Sequence, residues 1–227
     1  MVLPVPLQRP VWDALAGRQS SFAVGGPLAW RFDPEVSPFG AAANGSAASL
    51  AALTELAGDD ELWLVETAAQ SAPPGLVVAR QSECVQMVAD ALTPVGTFPG
   101  IEPLTDADAL EMRGLALLTE PGPFLPRTHE LGDFVGIRHA GRLVAMAGER
   151  MRPPGFTEVS GVCTHPDHRG KGYAGALMRV VAAAILARRE RPYLHAYASN
   201  TGAIALYEKL GFRVTAIMTA TVLRRAP

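Results

Sequence analysis

The chain has 227 residues, 48% of them hydrophobic and 19% charged, a balance that supports a sizeable buried core. A net charge of −2 gives no basic footprint for nucleic acid, and two cysteines, Cys84 and Cys163, are too few for a disulfide framework. Residues 1–8 are interrupted by proline and lack a signal-peptide pattern, and the apolar run 180–187 is too short to span a bilayer, so a soluble cytoplasmic protein without membrane contact is expected.

Residues 1–99 read as an N-terminal α/β region. A short helix is expected at Trp12–Leu15 behind Pro10, and turns at Gly25-Gly26-Pro27 and Asp33-Pro34. A helix over 46–56 has Asn44 or Ser46 as its cap and stops near Gly58. Leu62–Val65, Leu76–Val78 and Cys84–Val88 read as three strands. No catalytic constellation is visible there, and histidine is absent. A boundary falls in the Pro/Gly cluster over 93–100, so residues 100–227 form the second unit.

In that second unit, Thr105–Asp108 caps a helix running to Leu118, with Asp108 and Glu111 near the favourable end of its dipole. A proline-rich loop over 119–131 follows. Residues 134–138 and 143–150 form a hairpin about His139-Ala140-Gly141. Phe156–Thr164 is a strand. Pro166 ends it, and Gly170 and Gly172 allow a tight turn into a helix over 172–189. The apolar face of that helix is read as Leu177, Val180, Val181, Ala184 and Ile185. A strand over 193–198, a helix at 201–210 closed by Gly211, and strands at 212–214 and 216–223 complete the chain.

The glycine turn is the chemically informative stretch. A helix N-terminus carries N–H groups without intrahelical partners, and its dipole favours an anion in front of it. Gly170-Lys171-Gly172-Tyr173-Ala174-Gly175 matches the letters of the dinucleotide fingerprint, but the regular βαβ context is missing. No Walker A sequence occurs. The turn is therefore a candidate pyrophosphate site.

Arg169-Gly170-Lys171-Gly172-Tyr173-Ala174 fits Arg/Gln-x-x-Gly-x-Gly/Ala, and this resembles the coenzyme A signature of the GNAT N-acetyltransferases. The block from Asn200 through Ala203, Leu206 and Tyr207 to Gly211-Phe212 resembles the other familiar GNAT segment, one helix and one strand further on. The resemblance covers about residues 101–223. It implies an α+β GNAT fold: a central, mostly antiparallel sheet with two splayed strands and flanking helices, here with the small N-terminal α/β region added. It implies acetyl-CoA as cofactor. The expected ligand contacts are Gly170, Gly172, Tyr173, Ala174 and Gly175 through the turn, and Val162, Cys163 and Thr164 through the strand end. Arg169 and Lys171 either add charge there or stay solvated. Asn200, followed by Ala203, either binds the pantetheine arm or caps its helix.

The function so implied is acyl-CoA-dependent transfer of an acetyl group to a primary amine by direct attack, with a small molecule or a peptide as acceptor. A non-catalytic coenzyme A-binding sensor or scaffold is the alternative, and a homodimer stays open. Tyr207 matches the family's general acid toward the thiolate. Glu158 resembles the base glutamate of histone-type members; its competing role is a carboxylate paired with Arg150 or Arg152. Strand alternation places residues 158, 160 and 162 on one face and Cys163 on the other, where it reads as a buried structural thiol. His165 and His168 read as turn residues, and no metal is expected. Glu120, Glu130 and Asp133, near the proline-rich loop, are candidates for attracting a cationic amine.

Overall fold

A computed structural model describes residues 3–94 and 98–226. Residues 95–97, within the expected boundary, lie outside the described set. The chain begins with two short helices, α1 (Val5–Gln8) and α2 (Pro10–Leu15), followed by β1 (Ala23–Gly26), β2 (Ala29–Phe32) and β3 (Gly40–Ala42). Then come α3 (Ala47–Leu56), β4 (Leu62–Glu66), β5 (Leu76–Val88), β6 (Ile101–Leu104) and α4 (Ala109–Thr119). The remainder is β7 (Phe134–His139), β8 (Arg142–Glu149), β9 (Phe156–Thr164), α5 (Tyr173–Ala187), β10 (Arg191–Tyr197), α6 (Thr201–Leu210) and β11 (Arg213–Arg225).

Eight strands form one mixed sheet in the order β4-β11-β5-β10-β9-β8-β7-β6, and β1-β2-β3 form a separate small sheet. Neighbours in the large sheet are antiparallel except β9 and β10, which run parallel. The sheet continues across the expected boundary at 99/100. β5, from the first region, lies between β10 and β11, pairing from Val88 with Arg213 to Leu76 with Arg225. The two short strands expected at 76–78 and 84–88 are one long strand. Its largely polar centre, 79–83, is mostly exposed and loses the apolar alternation that marks a strand in sequence.

Alternation along the strands sorts the core into two layers. On one face α5 buries Leu177, Met178, Val181, Ala182 and Ile185 against Val144, Val159 and Leu194. Val180, expected in that stripe, is instead 40% exposed. On the other face lie α1 and α2, through Leu7, Val11 and Leu15 against Phe156 and Tyr193, and α4, through Met112 and Leu115 against Phe134 and Met146. Thr105 and Asp108 form the reciprocal cap ahead of α4. Ser46, not Asn44, caps α3 by accepting from Ser49 N.

Candidate active site

Pairing between β9 and β10 runs from Arg191–Phe156 only to Tyr193–Glu158. Beyond that point the two strands splay. On its other side β9 stays bonded to β8 as far as Thr164–Ala145. The last turns of β9 therefore hold one backbone edge free along the splay, where an extended arm can add as a strand would. A cleft of about 460 Å³ opens there. Val162, Cys163 and Thr164 border it on the β9 side, and Asn200, Ala203, Leu206 and Tyr207 on the α6 side. Residues Arg169 to Gly175 close its end.

The turn has the conformation that its glycines suggest. Gly170 and Gly172 hold φ of 76° and 79°, a region open to glycine at little cost. A Cβ built on either would meet nothing within 4 Å, so the space in front of the backbone is free. The first bond of α5 in the turn runs from Ala176 N to Gly172 O at 3.1 Å. The N–H groups of Tyr173, Ala174 and Gly175 precede it and need a partner from outside the helix. At the strand end, Thr164 Oγ1 is buried without a hydrogen-bond partner among the described residues. A turn of free amides facing open space, an orphaned hydroxyl and a free strand edge fit a pyrophosphate followed by an extended, amide-bearing chain.

Among the expected charges, Arg169 is exposed, with Nε 3.4 Å from Thr164 O, and Lys171 Nζ lies 3.4 Å from His168 Nδ1. Asn200 Oδ1 accepts from Ala203 N at 3.1 Å, so it caps α6 while also bordering the cleft. Gly211, at φ 106°, closes that helix. Tyr207 is half-buried, and desolvation raises its pKa above the ordinary phenol value. It keeps its proton throughout the neutral range.

Glu158 does not join this group. It is fully buried and held by Arg150, whose Nε and Nη2 donate to its two oxygens at 2.9 and 2.8 Å. His195 Nδ1 lies 2.8 Å from Oε1. Burial alone would raise its pKa, but the charge and hydrogen bonds of Arg150, with those of His195, outweigh this and hold it at about 2. A carboxylate so pinned takes no proton near neutrality, and it borders no part of the cleft. The structure gives Glu158 the partner of its competing role: it is the anion of a buried ion pair with Arg150, just past β8, with His195 of β10 beside it.

The alternation expected along β9 also needs correction. Ser160 pairs with Gly148 and Cys163 with Met146, so Gly161 and Val162 together oppose Ala147. This β-bulge, with Gly161 at φ 63°, reverses the faces beyond it. Cys163 therefore lies on Glu158's face, packed with Leu115 and Met146, while Val162 packs toward α5. Burial pushes the Cys163 thiol up to about 11, which suits a structural role.

Thr119 and Pro121, which nothing in the sequence marks, also border the cleft at the end of α4, on either side of Glu120. Glu120 is one of the three carboxylates expected to attract a cationic amine. Its left-handed backbone, φ 50°, cannot be foreseen from residue type. His139, in the hairpin turn, places its ring centroid 4.9 Å from that of His168.

Comparison with known proteins defines the class. The family model described as FR47-like protein matches residues 134–221, which include β9, the glycine turn and α6. A solved structure from Novosphingobium aromaticivorans DSM 12444, assigned to the GNAT family of acetyltransferases, is 51% identical. It aligns over 99% of this chain and 100% of its own, with a TM-score of 0.93. A GCN5-related N-acetyltransferase from Kribbella flavida shares the fold at 20% identity, with a TM-score of 0.59 and 95% of each chain covered. No curated protein matches the chain in sequence. The chain belongs to the GNAT family and is an acetyltransferase of that family. Among the described residues no helix is long and apolar enough to cross a membrane.

Proposed function

We propose that this protein transfers an acetyl group from acetyl-CoA to a primary amine by direct attack. The observation that carries this reading is the splay between β9 and β10, with the free amides of residues 173–175 at one end and Tyr207 beside it. Bound acetyl-CoA would supply the thioester. The backbone amides of the turn, unobstructed by any Cβ at Gly170 and Gly172, hold the pyrophosphate. Arg169 and Lys171 add positive charge at its rim. The free edge of β9 at Val162–Thr164 pairs with the pantetheine arm, and Thr164 Oγ1 gains its missing partner there. An N–H of the bulged strand end, at Val162 or Cys163, would supply the hydrogen bond that stabilises charge developing on the thioester oxygen. Tyr207, protonated at neutral pH, donates to the leaving sulfur; a phenol and a thiol are close enough in pKa for that transfer. The amine must arrive neutral, and its proton leaves on the acceptor side rather than to Glu158.

Residues 1–99 are proposed to complete the sheet through β5 and to wall the acceptor side. A cytoplasmic location agrees with two free, buried cysteines. The test is free-thiol release from acetyl-CoA in the presence of an amine panel. Amine-dependent release with a matching acetylated product supports the reading. Tight coenzyme A binding with no amine acetylated would favour a sensor or scaffold.

A further inference from the structure

A second cavity, of about 650 Å³, lies between the first region and the loop after α4. Glu120 borders both this cavity and the cofactor cleft, so the two adjoin there. Tyr197, at the end of the splayed β10, forms part of the wall, and Trp63 and Phe124 add aromatic surface. The volume is ordinary for a small-molecule site.

Its most unusual wall residue is Arg31. The side chain sits on β2 in a residue only 3% exposed. Its Nε donates to Phe32 O at 3.3 Å and its Nη1 to Leu56 O at 2.8 Å. Nη2 has no hydrogen-bond partner among the described residues, and no described carboxylate lies within salt-bridge distance of the guanidinium. Asp33 and Asp60 act on it through space. Asp33, however, is bonded to Arg127 at 2.9 Å. Burial lowers the pKa of Arg31, as expected for a cation without a paired charge. Buried arginines are normally paired, and the fork geometry suits a carboxylate. Arg80, whose guanidinium carbon stands 4.9 Å over the Trp63 ring, borders the same cavity, again with no described carboxylate in salt-bridge distance. The acidic groups Asp60, Glu61 and Glu120 also border it; Glu61 accepts from Trp63 Nε1 at 3.1 Å.

We infer that this cavity is the acceptor site, and that it takes an amine carrying a carboxylate, of the amino-acid or short-peptide class. The inference rests on the acetyl-transfer reading above. The carboxylate pairs with Arg31, Trp63 and Phe124 cover the apolar body, and the ammonium lies at Glu120, next to the cofactor cleft. There Glu120 takes the ammonium proton, the neutral nitrogen bonds to the acyl carbon, and the carbon–sulfur bond breaks as Tyr207 protonates the departing sulfur; the second proton, shed by the nitrogen as it becomes an amide, passes through solvent to restore the Tyr207 phenol.

The test compares amino acids and dipeptides with their C-terminal amides and their decarboxylated amines. Two readouts are taken: thiol release, and calorimetric binding to the protein saturated with coenzyme A. The free acids should exceed their amides by tenfold or more in kcat/KM and in affinity. Arg31→Met should bring that ratio close to one with acetyl-CoA affinity unchanged. Because Arg31 is buried, Arg80→Gln is measured alongside and should lower the ratio severalfold. Equal use of acids and amides by the native protein overturns the inference and leaves acetyl transfer standing. So does a preference that survives Arg31→Met. Selective binding of acids without any acetylation upholds the site and refutes the transfer reading.

Discussion

Replacing Glu158 by Gln separates a structural anion from a catalytic base. The carboxylate is 1% exposed and Arg150 11% exposed, so the substitution leaves a guanidinium buried without its counter-charge. Breaking a buried pair from one side costs roughly 3–5 kcal/mol. The amide keeps part of the hydrogen bonding, so the lower end applies. For a chain of this size each kcal/mol moves Tm by roughly 2–4 °C, which gives a fall of about 10 °C. The pH dependence follows from the direction of the shift. The native-state pKa of about 2 is below the ordinary 4.5. The contribution is thus complete above about pH 4.5 and fades as pH falls toward 2. Thermal melts followed by circular dichroism should show the full gap between native protein and variant at pH 7 and a closing gap below pH 4. At a temperature where both are folded, the acid limb of kcat/KM against pH should be the same in each, because Glu158 is ionised throughout. A variant with native Tm and no acid limb would refute this reasoning and return Glu158 to the role of base.

Three other outcomes are expected. Tyr207→Phe should lower kcat by roughly 10²–10⁴-fold, the usual worth of a positioned proton donor, with coenzyme A affinity unchanged by calorimetry; an unaltered kcat would remove its acid role. Gly172→Val forces a β-branched residue to φ 79° and fills the space ahead of α5, so acetyl-CoA affinity should fall at least tenfold, roughly 1.4 kcal/mol or more, in equilibrium titration. Leu177→Ala empties a fully buried position between α5 and the sheet and should cost roughly 2–5 kcal/mol in urea unfolding.

Local chemistry made much of the second unit legible. β9 and α6 have the expected limits because Pro166, Asn200 and Gly211 punctuate them. The glycine turn was readable because its conformation requires glycine. Long-range effects were not readable. The first region's β5 is split in sequence by its polar middle, and its place between β10 and β11 depends on pairing with residues more than a hundred positions away. β1 to β3 are short and carry Gly25-Gly26, which reads as a turn rather than as a strand. The bulge at Gly161–Val162 adds one residue against Ala147 and so reverses every facing judgement beyond it. Glu158 resembles a base by position along its strand, but Arg150 and His195, which fix its charge, come from different elements. Arg31 gives no sign in sequence that it is buried and unpaired.

The most direct test of the account is the stoichiometry of acetyl transfer: free thiol released against acetylated amine formed, with acetyl-CoA and an amine panel. The account predicts one thiol per acetylated amine, with both lost together in Tyr207→Phe and Gly172→Val. Thiol release independent of amine, or saturable acetyl-CoA binding with no acetylated product, would contradict it.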